Sequence, residues 1–268
     1  MATKILWSGL TGRTGREAIK QLTNVTDVEI VAGISRYDYD GKGLKIDAMK
    51  SSADGLDSDK SYDFSKIEKW YLYGNIANPL KEQPNGFDAL VDFSDQSVFE
   101  KVVELAVRTH VPLISGTSDL SNRQMALLYD ATNQIPIFRG GNFRFEVKRF
   151  ADEAVEFAKT HDDLILIEQH WTGQPLPSEA AKMIGYRILQ ETDKLIQIVN
   201  GAPYTNKSLV NEWILCGDDS FEAKISCKVV GFDELAHDVL EIAKVIARMP
   251  VKKGEFYDLD EIWDELSH

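Results

Sequence analysis

Apolar and polar positions switch between two periods along the first half of the chain. The apolar run Ile5 to Trp7 predicts a strand, and Glu17-Ala-Ile-Lys-Gln-Leu22 predicts the helix after it. Glu29 to Ile34 predicts a second strand and Ala89-Leu-Val-Asp-Phe93 a third. From Phe99 to Val107, apolar residues at 99, 102, 103, 106 and 107 recur at helical spacing. Pro112 to Ser115 and Ile135 to Phe138 read as short strands on either side of a helical segment around Gln124 to Ala131. Strand-helix-strand repetition of this kind predicts a parallel sheet with helices on both faces. The interval Tyr37 to Asp63, rich in Asp, Ser, Lys and Gly, lacks a period and reads as surface loop around one strand or helix.

The second half has a different rhythm. A helix is expected from about Phe145 to Lys159, then a strand from Leu164 to Glu168. The Gly/Pro-rich run Thr172 to Pro177 leads into a helix with Ser178 as its expected N-cap. Strands around Leu195 to Val199, Asn211 to Cys216 and Glu222 to Val230 follow without helices between them. That order points to an open mixed or antiparallel sheet, hence a second α+β unit. Leu235 to Met249 reads as a strong amphipathic helix and Asp258 to Leu266 as a shorter acidic one.

Composition narrows the function classes. With 268 residues the chain can form one large domain or two small ones. A formal net charge of -13 leaves no basic surplus for phosphates, which argues against a nucleic-acid or anionic-membrane partner. Cys216 and Cys227 form no C-x-x-C pair and fit reduced thiols in a cytoplasmic protein, so no metal site is expected. Lys4 is followed by a strand and a glycine turn rather than a long apolar segment, which reads as no secretory signal. No apolar run approaches the roughly 20 residues that span a bilayer.

The sharpest chemical signal is Gly9-Leu10-Thr11-Gly12-Arg13-Thr14-Gly15. Three glycines spaced G-x-x-G-x-x-G close a strand and open a helix. In a first βα unit that arrangement brings backbone amides up to a dinucleotide pyrophosphate, at a helix N-terminus of partial positive charge. A plain strand-to-helix turn has similar glycines. The position directly after a strand, within the first fifteen residues, favours the nucleotide reading.

Four segments together resemble the 4-hydroxy-tetrahydrodipicolinate (dihydrodipicolinate) reductase family of bacterial lysine and diaminopimelate synthesis. Gly9-Leu-Thr-Gly12-Arg13-Thr14-Gly15 is similar to that family's G-x-x-G-R-M-G, with Thr14 for Met. Leu90-Val-Asp92-Phe93-Ser94 is like its V-D-F-T, and Gly116-Thr117-Ser118 like its G-T-T. Gly141-Asn142-Phe143, then Glu168-Gln169-His170, resemble the segment that ends in the family's E-x-H-H. The resemblance implies a Rossmann-type dinucleotide-binding domain with a parallel sheet, formed by residues 1–143 and 232–268. It also implies an inserted α+β sheet domain, residues 144–231, that builds a homotetramer.

The family's contacts carry over as expectations. Gly9, Leu10, Thr11, Gly12, Arg13 and Thr14 would wrap the pyrophosphate, with Phe93 beside them. Gly116, Thr117, Ser118, Gly140, Gly141, Asn142 and Phe143 would line the nicotinamide side. Arg36, at the end of the second strand, would meet the adenosine ribose. An acidic residue there suits NAD, while an arginine suits the 2′-phosphate of NADP, so NADPH is expected over NADH. A solvated loop arginine is the other reading of Arg36. His170 is the candidate proton donor to an unsaturated cyclic imine that takes up hydride, since imidazole titrates near neutrality. A histidine that merely hydrogen-bonds at a strand end is its alternative.

The substrate segment departs from the family. Its second histidine is Trp171 here, Gln174 stands nearest the expected lysine, and Glu179 and Ala180 replace a glycine and a threonine. A carboxylate at a helix N-terminus repels an anionic group and can itself take the anion site. Lys148, Arg149, Lys182 and Arg187 are the cations that could replace those the family uses for its substrate, and the reading preferred for each is a solvated helix charge. Three functions therefore stand: the family reductase, a divergent reductase of a less anionic small molecule, and an inactive NADP-binding sensor or scaffold.

Overall fold

The computed structural model describes residues 1–35, 64, 67, 69–72, 86–170, 176–204, 210–217 and 223–267. The chain divides into two compact units, one of residues 1–140 with 235–268 and the other of residues 141–234.

The first unit is built on a six-stranded sheet in the order β3-β2-β1-β4-β5-β6. Its strands are β1 (Thr3–Ser8), β2 (Val28–Ser35), β3 (Lys69–Leu72), β4 (Ala89–Asp92), β5 (Leu113–Ser115) and β6 (Ile137–Phe138), every pair parallel. Strands covered on both faces need continuous apolar runs rather than alternation. β4 is buried at all four positions, and β1 at every position but Lys4. Helix α1 (Arg13–Gln21) follows the glycine turn. α2 (Gln96–Thr109) is N-capped by Asp95, which accepts from the Ser97 amide at 2.9 Å. α3 (Asn122–Ala131) opens on a Ser121/Gln124 capping box. Phe99, Val102 and Ala106 of α2 join Leu90, Leu113 and Leu128 in one core.

β3 is absent from the pattern-based expectation. Lys69-Trp70-Tyr71-Leu72 is a four-residue edge strand without alternation, and its partner Ala32–Ser35 defines it. The loop expected over Tyr37 to Asp63 lies outside the described residues.

In the second unit, β10-β9-β7-β8 form a mixed sheet. Here β7 (Ile165–His170) runs parallel to β8 (Gln197–Asn200) and antiparallel to β9 (Val210–Gly217), which pairs antiparallel with β10 (Ala223–Val230). α4 (Phe145–Thr160) and α5 (Glu179–Thr192) bury Val147, Phe150, Ala154, Ile184 and Ile188 with Leu166, Trp213 and Leu215 of the sheet. β7 runs two residues beyond the expected Glu168, so His170 is its last residue.

The chain then enters α6 (Asp233–Ile246) and, within the first unit, α7 (Leu259–Leu266). The pattern carried α6 to Met249, but the helix stops at Ile246. Pro250 disfavours helical geometry at the preceding residue, and Arg248 and Met249 instead donate to Val245 and Ile246 in turn-type bonds. Among the described residues no helix is long and apolar enough to cross a membrane.

Candidate functional site

The sheet order places β1 between β2 and β4, where the direction of strand progression reverses. In open parallel sheets, ligands bind beyond the carboxyl ends of the strands at that point. The glycine turn lies there. Gly9 has φ +81, and a Cβ on it would lie 2.2 Å from the Phe93 carbonyl oxygen at the end of β4. Only glycine lets the turn and the β4 end come so close. The Gly9 amide donates to Ile34 at 3.0 Å, and the Gly12 amide closes the turn on the Gly9 carbonyl at 2.8 Å. A Cβ on Gly15 would lie 2.4 Å from the Leu10 carbonyl, so the third glycine lets α1 pack against the turn.

Gly12 is the N-cap of α1, without a side-chain hydrogen bond to the first turn and without an acidic residue in it. A helix start of that kind is an anion seat. Together with the cradle a Cβ at Gly9 would fill, it fits a dinucleotide pyrophosphate. Leu10 is fully buried, and Thr11 and Thr14 are buried too. Thr11 Oγ1 lies 3.1 Å from Ser35 Oγ. The side chain of Leu10 therefore faces the core, leaving its backbone as the part that can meet a ligand. Arg36 lies outside the described residues.

The β4 and β5 ends meet at Asp92, which is fully buried. Its carboxylate accepts from Thr117 Oγ1 at 2.8 Å and from Ser94 Oγ at 2.5 Å. Burial pushes its carboxyl above the ordinary 3.8, and these hydroxyl bonds, with one from the Ser94 amide, offset only part of the rise. The Phe93 ring stacks on Trp7 with 6.0 Å between centroids, and it fills the space a Cβ on Gly116 would need. Arg139 reaches Ser115 Oγ at 2.9 Å and the Thr117 carbonyl at 3.2 Å, pinning the Gly116-Thr117 turn. Ser118 beside it is exposed and Gly140 half-buried. Gly9, Phe93, Gly116 and Thr117 are thus brought together.

Gly141, Asn142 and Phe143 open the second unit. A Cβ on Gly141 would lie 2.9 Å from the Glu179 carbonyl. Asn142 Oδ1 accepts from the Arg144 amide at 2.8 Å, and Phe143 is buried.

His170 is buried at the end of β7, with Nε2 2.8 Å from Glu168 Oε1. Alternation along a strand puts residues two apart on one face, which brings the pair together. Glu168 also accepts from the Ser178 amide (2.8 Å), the Ser178 hydroxyl and Trp213 Nε1 (2.8 Å). Burial raises the Glu168 carboxyl, but the bonds from His170, Ser178 and Trp213 outweigh it and hold it below 4.5. The Trp213 indole meets the imidazole edge-on at 5.8 Å between centroids. Ser178 caps α5 as expected, accepting from the Ala181 amide at 3.1 Å.

Trp171 and Gln174 lie outside the described residues. Glu179 is exposed in the first turn of α5 and paired with Lys182 at 2.7 Å. Lys148 departs from the expectation of a solvated charge: it is buried and holds Asp152 at 2.8 Å, because its position on α4 faces the core. Arg187, half-buried, pairs with the same carboxylate at 2.5 Å. Arg149 is exposed. Sequence reasoning missed Asp92, Arg139, Ser178 and Trp213 as partners. Asp92 and Ser178 stood within quoted motifs, whereas Trp213 is 45 residues from the carboxylate it serves and carried no local signal.

Residues 3–143 match the family model described as dihydrodipicolinate reductase, N-terminus. A 4-hydroxy-tetrahydrodipicolinate reductase of Thermomicrobium roseum is 23% identical over 189 residues, 69% of this chain and 65% of the relative. One from Alkaliphilus oremlandii is 27% identical over 125 residues, 44% of this chain and 52% of the relative. The chain thus matches between half and two thirds of the length of these curated relatives. A dipicolinate-bound dihydrodipicolinate reductase from Paenisporosarcina sp. TG-14 shares the fold, with TM-score 0.64 at 13% identity over 96% of this chain and 98% of that one. With more than half of its length matched by the family model, and the glycine turn at the switch point of the sheet, the chain belongs to the dihydrodipicolinate reductase family.

Proposed function

We propose that this protein is an NAD(P)H-dependent reductase that takes an unsaturated cyclic imine, of the tetrahydrodipicolinate kind, to its reduced ring. The glycine turn carries the reading: Gly9 permits an approach that a side chain would block, beside an uncapped helix start. The backbone from Gly9 to Thr14 would hold the pyrophosphate. Phe93 would stand beside it in the same nucleotide cleft. Gly116, Thr117, Ser118 and Gly140 to Phe143 would border the nicotinamide, and Arg36 would favour the 2′-phosphate of NADPH over NADH. A bound reduced nicotinamide supplies hydride. His170 supplies the proton for the adjacent ring atom, and its buried setting excludes water from that transfer.

Calorimetric titration tests the first half, with NADPH expected to bind more tightly than NADH and Arg36→Ala to narrow the gap. Following NADPH oxidation with synthase-generated substrate tests the second. His170→Gln should lower the rate by about 10²- to 10⁴-fold with the NADPH Kd unchanged. Turnover absent with both cofactors would reject the assignment.

Glu179 favours a second reading. Its exposed carboxylate stands at the start of α5, where an anionic substrate group would otherwise gain from the helix dipole. A reductase of a less anionic imine or carbonyl fits it, and a panel of uncharged and cationic substrates distinguishes the two. Nucleotide binding without turnover on either set would leave a cofactor-binding sensor.

A homo-oligomer is part of the proposal. Val199, Ile167 and Ile214 form a half-exposed cross-strand row on the sheet face opposite α4 and α5. A second copy covering that row would bury it, with a tetramer as the expected size. Light scattering on the native chain and on Ile167→Lys tests this, and a monomer in both would refute it.

A further inference from the structure

We infer that Glu168 is a positioning residue that keeps the His170 proton on Nε2 and so makes Nδ1 the atom that exchanges a proton with substrate. The inference rests on His170 being the proton donor proposed above. Four bonds converge on the carboxylate. Oε2 accepts from the Ser178 amide, while Oε1 accepts from the Ser178 hydroxyl, Trp213 Nε1 and His170 Nε2. The backbone N–H and the indole N–H are donors only. A carboxylate held by several such donors stays ionised and can only accept. The imidazole nitrogen 2.8 Å away must therefore be the donor, which fixes the neutral tautomer as Nε2–H.

Nδ1 is then the basic nitrogen. It is buried, with no hydrogen-bond partner among the described residues. An acceptor left dry and unpaired in this way is disfavoured unless something satisfies it. A proton that arrives at Nδ1 makes an imidazolium whose other N–H already points at an anion, and transfer to a substrate atom returns the ring to the same tautomer. The step moves one proton and no electrons, and Glu168 keeps its charge throughout. Trp213 and Ser178 act one layer further out: they fix the carboxylate, and the carboxylate fixes the ring.

The test reads the tautomer in the resting protein. In nitrogen-15 imidazole spectra of the native chain, with the His170 signals assigned by their loss in His170→Gln, the neutral ring should show a protonated Nε2 and an unprotonated Nδ1. A neutral ring protonated at Nδ1, or an even mixture, would overturn the inference. This arm needs no substrate, so it fails or succeeds independently of the reductase assignment. Where turnover is measurable, Glu168→Gln should lower kcat by about 10- to 100-fold with KM and the NADPH Kd little changed. Ser178→Ala should leave the tautomer as it is. An unaltered kcat in folded Glu168→Gln would equally overturn it.

Discussion

Asp92, at the end of β4 in the first unit, and Glu168, within β7 of the second, are both fully buried carboxylates, yet their acidities move in opposite directions. Asp92 is raised and Glu168 lowered, although burial is the largest influence on each. The difference lies in the partners. Asp92 meets mainly hydroxyls, those of Thr117 and Ser94, which can rotate and either donate or accept, with the Ser94 amide as a fixed donor beside them. Glu168 meets a backbone amide and an indole N–H, which can only donate, along with the imidazole and the Ser178 hydroxyl. A set of mostly adaptable partners tolerates a neutral carboxyl; a set dominated by fixed donors demands an anion. The first unit can therefore adjust around its carboxyl, while the second is organised by the charge of its own.

The largest expected effect falls where neither device helps. Gly9→Ala needs φ near +81, which alone costs about 1–3 kcal/mol for a residue with a Cβ. The added methyl would sit 2.2 Å from backbone, so the β4 end must also move. Thermal unfolding should shift down sharply, and NADPH affinity should fall more than tenfold by calorimetry. An alanine variant that binds NADPH normally would remove the turn from the site.

The carboxylates themselves come next. Glu168→Gln sets an amide N–H₂ against N–H donors and should cost about 2–4 kcal/mol by denaturant unfolding, the range for losing a charged acceptor that leaves buried donors unpaired. Asp92→Asn leaves hydroxyls that can turn to accept, so its cost should stay below about 1 kcal/mol. Equal losses in the two variants would break the comparison.

Acidity gives a third expectation, with opposite signs. The stabilisation from Glu168 is fully present above its ordinary 4.5 and is lost as pH falls through its lower folded value. That from Asp92 is present below its ordinary 3.8 and is lost as pH rises through its higher folded value. Glu168→Gln should therefore flatten the loss of stability in acid. Asp92→Asn should flatten a fall on the rising side. Urea midpoints measured across that range decide between them.

Much of this was legible in the chain and some was not, for physical reasons. β1, β4 and the glycine turn announce themselves because strands buried on both faces need unbroken apolar runs, and a turn that meets backbone at 2.2 Å needs glycine. β3 was invisible, being an edge strand of four residues defined by its neighbour. His170 could be singled out only through the resemblance of Glu168-Gln169-His170 to the family's E-x-H-H; the expected strand ended at Glu168, so the shared face of the pair emerged with β7 itself. Trp213 could not, because strand pairing brings it there from a distant segment. The end of α6 needed Pro250 to be weighed against an apolar stripe that runs on past Ile246.

The smallest expected effects come from two lysines that sequence could not tell apart. Both lie on helices of the second unit, and both pair with a carboxylate within one turn: Lys148 with Asp152 and Lys182 with Glu179. Their side chains differ in exposure, 9% for Lys148 and 52% for Lys182. An exposed pair in water gains little, about 0–1 kcal/mol, because solvent screens the attraction and ordering two long side chains opposes it. Lys182→Met should be near neutral by unfolding and insensitive to salt. Lys148→Met removes one of the two cations that hold Asp152 among the described residues and leaves Arg187, 2.5 Å away. Its methionine chain keeps much of the buried packing, so the loss should be only slightly greater, about 1 kcal/mol. If Lys182→Met proves the more damaging of the two, burial is not what separates these cations. The exposed pair at the start of α5 would then have a role beyond balancing the charge of Glu179.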